Sequence, residues 1–345
     1  MNKITDNNPK ILEKRVGRLV KSDAPRISVV IPAYNVAEYI AETLDSALAQ
    51  TFSDFEIIVV NDGSPDTARL EKVLSAYFDK IIYLKQENGG AAAARNTAIS
   101  EARGSLLAFL DGDDIWYPEK LAVQTAFLDA NDYEMIYCDA LLFGAPYYDG
   151  KTYMQGAPSK GKVTTEKLLE GGCNVLTSGT VALKEAIVKY GLFDLSAVWV
   201  EDFELWFRLC KNGVKIGYQE KVMVKYRTWA GNQTGSSVEK AERGIKALET
   251  VKNRNNLTES ELQAWQNQST LLKAELSLER GKHNLAKGNF TEARKNFAEA
   301  NGYRQKFKLQ ALMLLLMISP NLVLKLFKNL RSAEFTYINP DNSQK

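Results

Sequence analysis

Short apolar runs rich in β-branched residues alternate with longer amphipathic stretches in the first third of the chain. Four of these runs have the length and composition of buried strands: ISVVI (27–31), FEIIVV (55–60), IIYL (81–84) and SLLAFL (105–110). Segments with helical spacing lie between them, at 36–49, 68–78 and 91–102. Strands that alternate with helices of this length predict an α/β fold, in which helices cover both faces of a mostly parallel sheet.

A polar cluster follows each predicted strand. The clusters, in chain order, are PAYN, NDGS, ENGG and DGDD. Parallel strands end at one edge of a sheet, and ligands of such sheets bind outside the carboxyl ends of the strands. The pattern therefore brings the four clusters together at this edge and places the candidate functional site there.

The two ends of the chain follow a different pattern. The polar, mildly basic N-terminus predicts either a tail or a short amphipathic helix. After about residue 235 the strand pattern stops, and the spacing predicts an all-helical region with a joint at Lys287–Gly288–Asn289 and a break at Pro320. The segment GNFTEARKNFAEA is similar to the second helix of a tetratricopeptide unit, but a single copy favours one helical hairpin. The predicted organisation is an extension (1–25), an α/β domain (26–235) and a helical region (236–345).

Composition excludes several functional classes. A net charge of +2 on 345 residues gives no electrostatic argument for binding nucleic acid. The single histidine, His283, excludes His-rich zinc sites and argues against a Ser-His-Asp hydrolase. The three cysteines lie far apart without metal-binding spacing, as expected of reduced thiols in a cytoplasmic protein. The N-terminus lacks the apolar core of a signal peptide, and no run reaches the roughly 20 apolar residues of a membrane-spanning helix.

The motif FLDGDD crowds three carboxylates behind an apolar strand. Asp111 and Asp113 flank Gly112, so in an extended chain their side chains point the same way. Such a pair suits a hard cation such as Mg²⁺ or Mn²⁺, which would offset the repulsion and hold a diphosphate. An exposed acidic turn is the alternative, since Asp-Gly pairs are common in turns. Asp114 is interpreted as a cap of the helix that begins in IWYPEKL.

Four further charged residues each have two interpretations. Asp62 either accepts hydrogen bonds from a base or ribose, or forms an Asx turn. Arg95, on an Ala-rich helix, either reaches a phosphate or is a solvated surface arginine. Glu201 and Asp202 are either a functional acidic pair or the acidic first turn that stabilises any helix through its dipole.

Several stretches together resemble one enzyme family. They are SVVIPAYNVAEYIAETLDSALAQTFSDFEIIVVNDGSPD, ENGGAAAARNTAISEARGSLLAFLDGDDIWYPEKL, TSGTVALK, GLFD and VEDFELWFRL. In this order they are similar to the family 2 inverting glycosyltransferases, which have a GT-A fold. The resemblance covers roughly residues 26–230. It implies transfer of a sugar from a nucleoside diphosphate, UDP by default, to a hydroxyl group of a glycan or lipid-linked acceptor.

The resemblance also implies a role for each motif. It assigns seven residues to the nucleotide pocket: Pro32, Tyr34, Asn35, Asp62, Asn88, Arg95 and Asp111. Of these, the first three would line the base, the fourth would hydrogen-bond to it, and the last would face the ribose or assist a metal. Asp113 would ligate Mn²⁺ or Mg²⁺. Asp202 would be the catalytic base, with Glu201 positioning the acceptor or the donor sugar.

One departure from the family pattern concerns metal binding. Many family members carry a histidine two residues after a Tyr-Arg pair on a late strand, and Trp229 occupies that place in KYRTWAGNQTGSS. His283 lies in the helical region, where it is expected to be a surface or packing residue. Metal binding would then depend on Asp113, the diphosphate and water.

The basic, leucine-rich segment 303–331 has two interpretations. It carries six basic residues and no acidic one, with leucines between them. It either lies in the membrane interface, which would hold a cytoplasmic protein peripherally on the inner face near a lipid-linked acceptor, or packs its leucines against the preceding helices.

Two other functions compete with glycosyl transfer. An aspartyl phosphatase or phosphotransferase is one, because DGDD loosely resembles an Asp-x-Asp loop, although that reading prefers the acids after the first strand and here they follow the fourth. A catalytically silent interaction protein built on the helical region is the other, against which the acids at every expected position argue. The donor sugar, the acceptor and the oligomeric state are not indicated by the sequence.

Overall fold

The computed structural model describes residues 8–20, 24–145, 150–228, 237–304 and 307–330. The chain forms two compact units. One consists of Met1–Asn232 with Thr250–Ala264, and the other of Gln233–Glu249 with Trp265–Lys345.

The first unit is built on one mixed sheet, which has nine strands in the part of the chain that the structure describes. They are β1 (Ile11–Val16), β2 (Ile27–Ala33), β3 (Phe55–Asp62), β4 (Ile82–Gln86), β5 (Leu106–Phe109), β6 (Ile115–Trp116), β7 (Met135–Phe143), β8 (Val181–Leu183) and β9 (Ile216–Arg227). Their order is β1-β4-β3-β2-β5-β8-β7-β9-β6. The neighbours β4, β3, β2 and β5 run parallel, so their carboxyl ends lie at one edge, as predicted.

Helices cover both faces of this parallel centre. They are α1 (Ile40–Leu48), α2 (Thr67–Leu74) and α3 (Gly90–Glu101). The chain steps from β2 to β3 to β4 in one direction and then returns to β5, so right-handed crossovers place α3 on the face opposite α1 and α2. Alternate residues of the strands face the first pair of helices, where Val29 and Ile31 join Ile40 and Leu44 in one apolar cluster. The predicted α/β fold is confirmed.

Five further helices lie in the described part of the first unit. They are α4 (Lys120–Ala130), α5 (Tyr153–Gly156), α6 (Thr165–Leu169), α7 (Lys184–Lys189) and α8 (Glu201–Lys211), with a 3₁₀ turn at Thr177–Gly179. The 3₁₀ turn leads directly into β8, and α8 begins at the predicted acidic pair.

Ile11–Val16 form a strand, so the expectation of a tail or short helix is wrong for these residues. Strand β1 pairs antiparallel with β4 and adds an edge to the sheet. The Arg15 guanidinium lies over the ring of Phe78, 4.6 Å from its centroid, and Lys14 pairs with Glu101. The helical interpretation missed that β4 otherwise leaves its backbone groups unpaired at that edge, which a short charged strand can cover.

Between residues 237 and 330 the described part of the C-terminal region is helical, as predicted. Its helices are α9 (Ser237–Arg254), α10 (Glu259–Ala286), α11 (Phe290–Arg304), α12 (Phe307–Ile318) and α13 (Pro320–Leu330). The predicted joint lies between α10 and α11, where Gly288 has a φ of +78°. The predicted break at Pro320 is also confirmed, because this proline is the first residue of α13, where its missing N–H is tolerated. Among the described residues, no helix has the length and apolar character needed to cross a membrane.

Candidate active site

The loop after β2 is tied to the loop after β3. Asn35 adopts a left-handed backbone with φ of +55°, and its N–H donates to Ser64 Oγ at 2.7 Å. Pro32 ends up half-buried near the end of β2, whereas half of the Tyr34 side chain is exposed. The three residues predicted to line a base therefore form a solvent-accessible surface at the carboxyl edge of the sheet.

Asp62 ends β3 and faces the start of α3. Its Oδ1 accepts hydrogen bonds from Gln86 Nε2 at 2.6 Å and from the Gly89 N–H at 2.9 Å, and its Oδ2 accepts one from the Gly90 N–H at 2.8 Å. Asn88 Nδ2 donates to the Asp62 carbonyl at 2.9 Å. Burial raises the pKa of the Asp62 carboxyl, and the hydrogen bonds it accepts oppose that shift. The sheet edge thus joins the β3 and β4 loops through this carboxylate.

The close approach of the loops after β3 and β4 also requires the glycine of NDGS. Gly63 has a φ of +59°, which L side chains rarely adopt, and a Cβ there would lie 2.6 Å from the Asn88 backbone nitrogen. The tight approach of these two loops is therefore encoded by the motif itself.

Arg95 connects the two acidic motifs of the sequence. Its Nη2 donates to Asp111 Oδ1 at 2.7 Å and its Nη1 donates to Glu201 Oε1 at 3.1 Å. The arginine is 6% exposed, and every residue of α3 from Ala92 to Ile99 is buried, so the solvated-surface interpretation is wrong. Burial alone would lower the pKa of this guanidinium, but the charges of Asp111 and then Glu201 raise it.

Glu201 and Asp202 have different surroundings although they are neighbours. Glu201 is 8% exposed and ion-paired with Arg95; burial and then the charge of Asp202 raise its pKa, and the arginine opposes this. Asp202 is only partly buried, and its Oδ2 accepts a hydrogen bond from Thr177 Oγ1 at 3.0 Å. The charge of Asp202, after burial, also raises the pKa of the Tyr153 phenol to about 12. Of the two acids, Asp202 is the one with access to solvent.

The 3₁₀ turn before β8 holds both acidic segments. Thr177 binds Asp202 as described, and the next residue, Ser178, accepts a hydrogen bond from the Asp111 N–H at 3.1 Å. The Ser178 carbonyl also accepts one from Trp116 Nε1 at 2.8 Å. This turn lies in the stretch TSGTVALK, and no local pattern in the sequence predicts a role for it.

Arg227, at the end of β9, fixes the backbone of the DGDD turn. Its Nε donates to the Asp113 carbonyl at 2.8 Å, and its N–H donates to Asp114 Oδ1 at 2.9 Å. The side chain continues to Glu42 on α1. The capping role expected for Asp114 is wrong, because α4 begins after Glu119 and Asp114 is 1% exposed against β9. Trp229, which takes the place of the family histidine, lies outside the described residues.

The carboxylates of this turn repel one another. Burial and the charges of Asp113 and Asp111 raise the pKa of Asp114 well above its usual range. Its Oδ2 is buried and, among the described residues, has no hydrogen-bond partner. A cation beside these oxygens would relieve the repulsion, and hard divalent ions prefer carboxylate oxygen.

The number of protein ligands limits what kind of ion fits. Within the described ranges no three side chains of the His, Cys, Asp and Glu types are placed to hold one metal ion. Mg²⁺ commonly binds through one or two carboxylates together with substrate phosphates and water. The residues therefore fit an ion that shares its ligands with a bound diphosphate, and Asp113 and Asp111 are the candidates.

Comparison with known proteins agrees with these motifs. The sequence model described as Glycosyl transferase family 2 matches residues 28–189. An uncharacterized glycosyltransferase of Rickettsia prowazekii is 34% identical over 227 residues, which are 64% of this chain and 69% of that protein.

The chain belongs to glycosyl transferase family 2.

Another relative of this glycosyltransferase carries a specific activity in its name. It is the UDP-Glc:alpha-D-GlcNAc-diphosphoundecaprenol beta-1,3-glucosyltransferase WfgD of Escherichia coli, 35% identical over 188 residues, which are 54% of this chain and 70% of that protein.

Two solved structures share the fold. The mannosyltransferase PcManGT of Pyrobaculum calidifontis, in complex with GDP-Man and Mn²⁺, has a TM-score of 0.59 at 17% identity and covers 94% of this chain and 90% of its own. The S. aureus TarS 1–349 in complex with UDP-GlcNAc has a TM-score of 0.54 at 19% identity, covering 90% of this chain and 91% of its own. The GT-A fold expected of this glycosyltransferase is thereby confirmed.

The structure brings most of the sequence-predicted residues to the sheet edge. Those at the ends of β2, β3, β4 and β5 share that edge, and Arg95 links the last of them to α8. His283 is an exposed residue of α10, as expected. The sequence did not predict the roles of three residues, Thr177, Ser178 and Arg227. Their contacts join segments that are distant in sequence, and no local pattern indicates such contacts.

Proposed function

We propose that this glycosyltransferase moves a sugar from a UDP-linked donor to a hydroxyl group of a glycan or lipid-linked acceptor, with inversion and with a divalent metal ion. One observation carries the proposal. The guanidinium of Arg95 bonds to Asp111 after β5 and to Glu201 in the first turn of α8. This contact supports the proposal, because it links an acid of the proposed diphosphate site to the residue next to the proposed base, Asp202.

The nucleotide would lie along the edge formed by the parallel strands. In this arrangement Pro32, Tyr34 and Asn35 line the base. Asp62 also hydrogen-bonds to the base, because its carboxylate oxygens can accept a further hydrogen bond besides those from the start of α3. Asn88 completes the pocket. The exposed ring of Tyr34 supports this assignment, because a flat accessible aromatic face can stack on a base.

Asp202 is proposed as the catalytic base. Its carboxylate accepts the proton of the acceptor hydroxyl while the hydroxyl oxygen bonds to the anomeric carbon and the bond from that carbon to the diphosphate oxygen breaks. A single displacement on one face of the sugar inverts the anomeric configuration. Thr177 Oγ1 holds Oδ2 of this carboxylate, and the Phe203 N–H holds Oδ1, which fixes the direction of its accepting lone pairs.

Glu201 and Arg95 are proposed to organise the pocket around the leaving group. Glu201 is buried against Arg95, and through that contact it positions the donor sugar. Arg95 keeps Asp111 oriented toward the ribose and adds positive charge near the diphosphate.

Asp113, with Asp111, would hold Mn²⁺ or Mg²⁺. The bound ion supplies positive charge against the departing diphosphate. Arg227 and Ser178 hold the backbone on either side of these acids, so the turn is fixed before any ligand binds.

The donor preference rests on relatives. The name of one relative specifies UDP-Glc, one neighbouring structure is a complex with UDP-GlcNAc, and another is a complex with GDP-Man. UDP-linked hexoses and N-acetylhexosamines are therefore the first donors to test, and GDP-mannose is the alternative.

The test incubates the full chain with each nucleotide sugar, Mn²⁺ and a lipid-linked glycan that offers the acceptor hydroxyl group, and it measures release of the nucleoside diphosphate. We expect release with a UDP-sugar, its loss on chelation of the metal and its return when Mn²⁺ is restored. Asp113→Ala should lower the rate on the order of 100-fold, because it removes a metal ligand. Asp129→Ala is the matched control, since this exposed carboxylate pairs with Arg26 on the surface.

Three results would contradict the proposal. They are an absence of release with every nucleotide sugar, release that is indifferent to chelation, and an unchanged rate in Asp113→Ala. Retention of the anomeric configuration in the product would contradict the single displacement. Release of inorganic phosphate from phosphomonoesters would instead support the aspartyl phosphatase alternative.

A further inference from the structure

Helices α12 and α13 divide their apolar residues between two surfaces. One set packs inside the second unit, where Leu316 and Val323 are buried in a cluster with Leu285 and Phe297. The other set is 52% to 81% exposed, and we call it the exposed apolar face: Phe307, Leu314, Leu315, Met317, Ile318, Leu322 and Leu326. The pair of helices α12 and α13, which we call the terminal hairpin, thus buries one apolar surface by packing and leaves a second one in solvent.

The exposed apolar face is concentrated at the corner between the two helices. Five of its seven members lie between Leu314 and Leu322, on either side of the joint at Ser319 and Pro320. Single exposed leucines are ordinary on protein surfaces, but contiguous large apolar residues mark a surface that binds another apolar phase.

The charged residues described on α12 and α13 have one sign. Lys308, Lys325 and Lys328 are exposed on the same two helices. The sequence has no acidic residue between 303 and 331. Lysines that border an apolar face without acids complement an anionic lipid surface, because the chains reach the headgroups while the apolar residues enter the acyl boundary.

We propose that the exposed apolar face and its three lysines bind the surface of an anionic lipid bilayer, with the corner between α12 and α13 inserted into the interface. The described helices are too short or too polar to cross a bilayer, so the contact is peripheral. The alternative interpretation is that this segment only packs its leucines against the preceding helices. It explains the buried set and leaves the exposed apolar face unexplained. The proposal concerns location and does not depend on the catalytic assignment.

The experiment measures sedimentation of the full chain with vesicles. One set of vesicles is phosphatidylcholine, and the other is an equal mixture of phosphatidylcholine and phosphatidylglycerol. We expect binding to the mixed vesicles, weaker binding to the neutral ones, and loss of the difference at high salt because screening removes the attraction.

Variants separate the apolar and the charged contributions. Ile318→Ser should weaken binding to both vesicle types about tenfold, because it removes one large side chain from the apolar phase. Lys325→Gln should weaken binding to the mixed vesicles about fivefold and leave binding to the neutral ones unchanged. Both residues are exposed, so their replacement leaves the packed cluster intact, which a thermal melt verifies.

Matched controls come from α10. Leu271 is 51% exposed and Lys273 is exposed, so Leu271→Ser and Lys273→Gln make the same chemical changes outside the proposed face and should bind vesicles as the unaltered chain does. Asp202→Asn should also bind normally, which distinguishes a failure of the lipid proposal from a failure of the catalytic one.

Several outcomes would overturn the proposal. One is an absence of binding to either vesicle type, and another is binding that Ile318→Ser leaves unchanged. A third is a change of oligomeric state in Ile318→Ser, measured by analytical ultracentrifugation without lipid, since the face would then be an interface between two copies of the chain. An equal effect of Leu271→Ser would show that the loss is not specific to the corner.

Discussion

The side chains at the sheet edge and those at the corner between α12 and α13 differ in how far other residues hold them in place. At the sheet edge the charged groups are held by partners from other segments, as Arg95 is by Asp111 and Glu201. At the corner, five large apolar side chains lie in solvent. The first region is organised before any ligand arrives, whereas the second region gains stability only when something apolar covers it.

The two proposals therefore assign chemistry and location to separate parts of the chain. A substitution at the sheet edge should change turnover and leave vesicle binding unchanged, and a substitution at the corner should do the reverse. Any variant that changes both properties would break this division.

The largest effect is expected from Asp202→Asn. The amide cannot accept the proton of the acceptor hydroxyl, so kcat should fall on the order of 1000-fold while the affinity for the nucleotide sugar is kept. Steady-state kinetics and a donor-binding titration measure the two quantities.

Asp194→Asn is the matched control for that change. This carboxylate pairs with Arg254 in the same unit and touches none of the proposed catalytic groups, so its kcat should stay close to normal. Unchanged turnover in Asp202→Asn would mean that another group takes the proton, and the division between the two regions would lose its catalytic half.

The convergence of motifs at the sheet edge could be predicted because it follows from strand direction. Apolar β-branched runs specify buried parallel strands, and parallel strands bring their ends together. The loops after β2 and β3 then meet at Asn35 and Ser64, although 29 residues separate them in sequence.

The contacts that complete the site could not be predicted in the same way. Ser178 contacts Asp111, which is 67 residues away in sequence. Arg95 contacts Glu201, which is 106 residues away, and no local pattern predicts how their two helices are placed relative to each other. The Ala-rich sequence around Arg95 is compatible with both an exposed and a buried helix face. Only the packing of α3 on the sheet decides between them.

The terminal hairpin shows a third kind of limit. Its leucines predicted either lipid contact or packing, and the structure divides them between a buried set and an exposed set. Leu316 and Leu315 are adjacent, yet one is buried and the other half exposed. Helical spacing assigns residues to faces, but which face meets the rest of the unit depends on packing with α10 and α11.

A smaller effect is expected from Thr177→Val. Valine keeps the shape of the side chain but removes the hydroxyl that holds Asp202 Oδ2 at 3.0 Å. We expect kcat to fall about tenfold with little change in the KM for the donor, because the base is present but less well oriented.

Two variants test whether this effect belongs to the hydrogen bond. Thr177→Ser restores the hydroxyl and should restore most of the rate. Thr180→Val makes the same change three residues later, where the buried hydroxyl donates to the Leu176 carbonyl at 2.9 Å and touches no proposed catalytic residue. A rate loss in Thr180→Val as large as in Thr177→Val would mean that the turn acts only through stability.

The smallest effect concerns stability and comes from Lys120, a charged residue that the chemistry of the sheet edge does not use. Its side chain is fully buried, its Nζ lies 3.9 Å from the ring centroid of Trp116, and within the described residues this nitrogen has no hydrogen-bond partner. Burial lowers the pKa of Lys120 from 10.5 to about 7. We expect Lys120→Met to raise the free energy of unfolding by roughly 1 kcal/mol at pH 7, since the lost contact with Trp116 offsets part of the relieved burial cost.

The pH dependence of that gain gives the sharper measurement. Between pH 7 and pH 10.5 the unfolded chain holds a proton on Lys120 that the folded chain releases, so the stability of the unaltered protein rises with pH through this window. The advantage of Lys120→Met should therefore be largest at pH 7, disappear as the pH rises and become a disadvantage as the pH approaches 10.5. Urea unfolding of both proteins across this range measures it, and the exposed Lys72→Met serves as the control without such a trend. A gain that is constant with pH would mean that the pKa of Lys120 in the folded chain stays close to its ordinary value of 10.5, and the cost of its burial would then be absent.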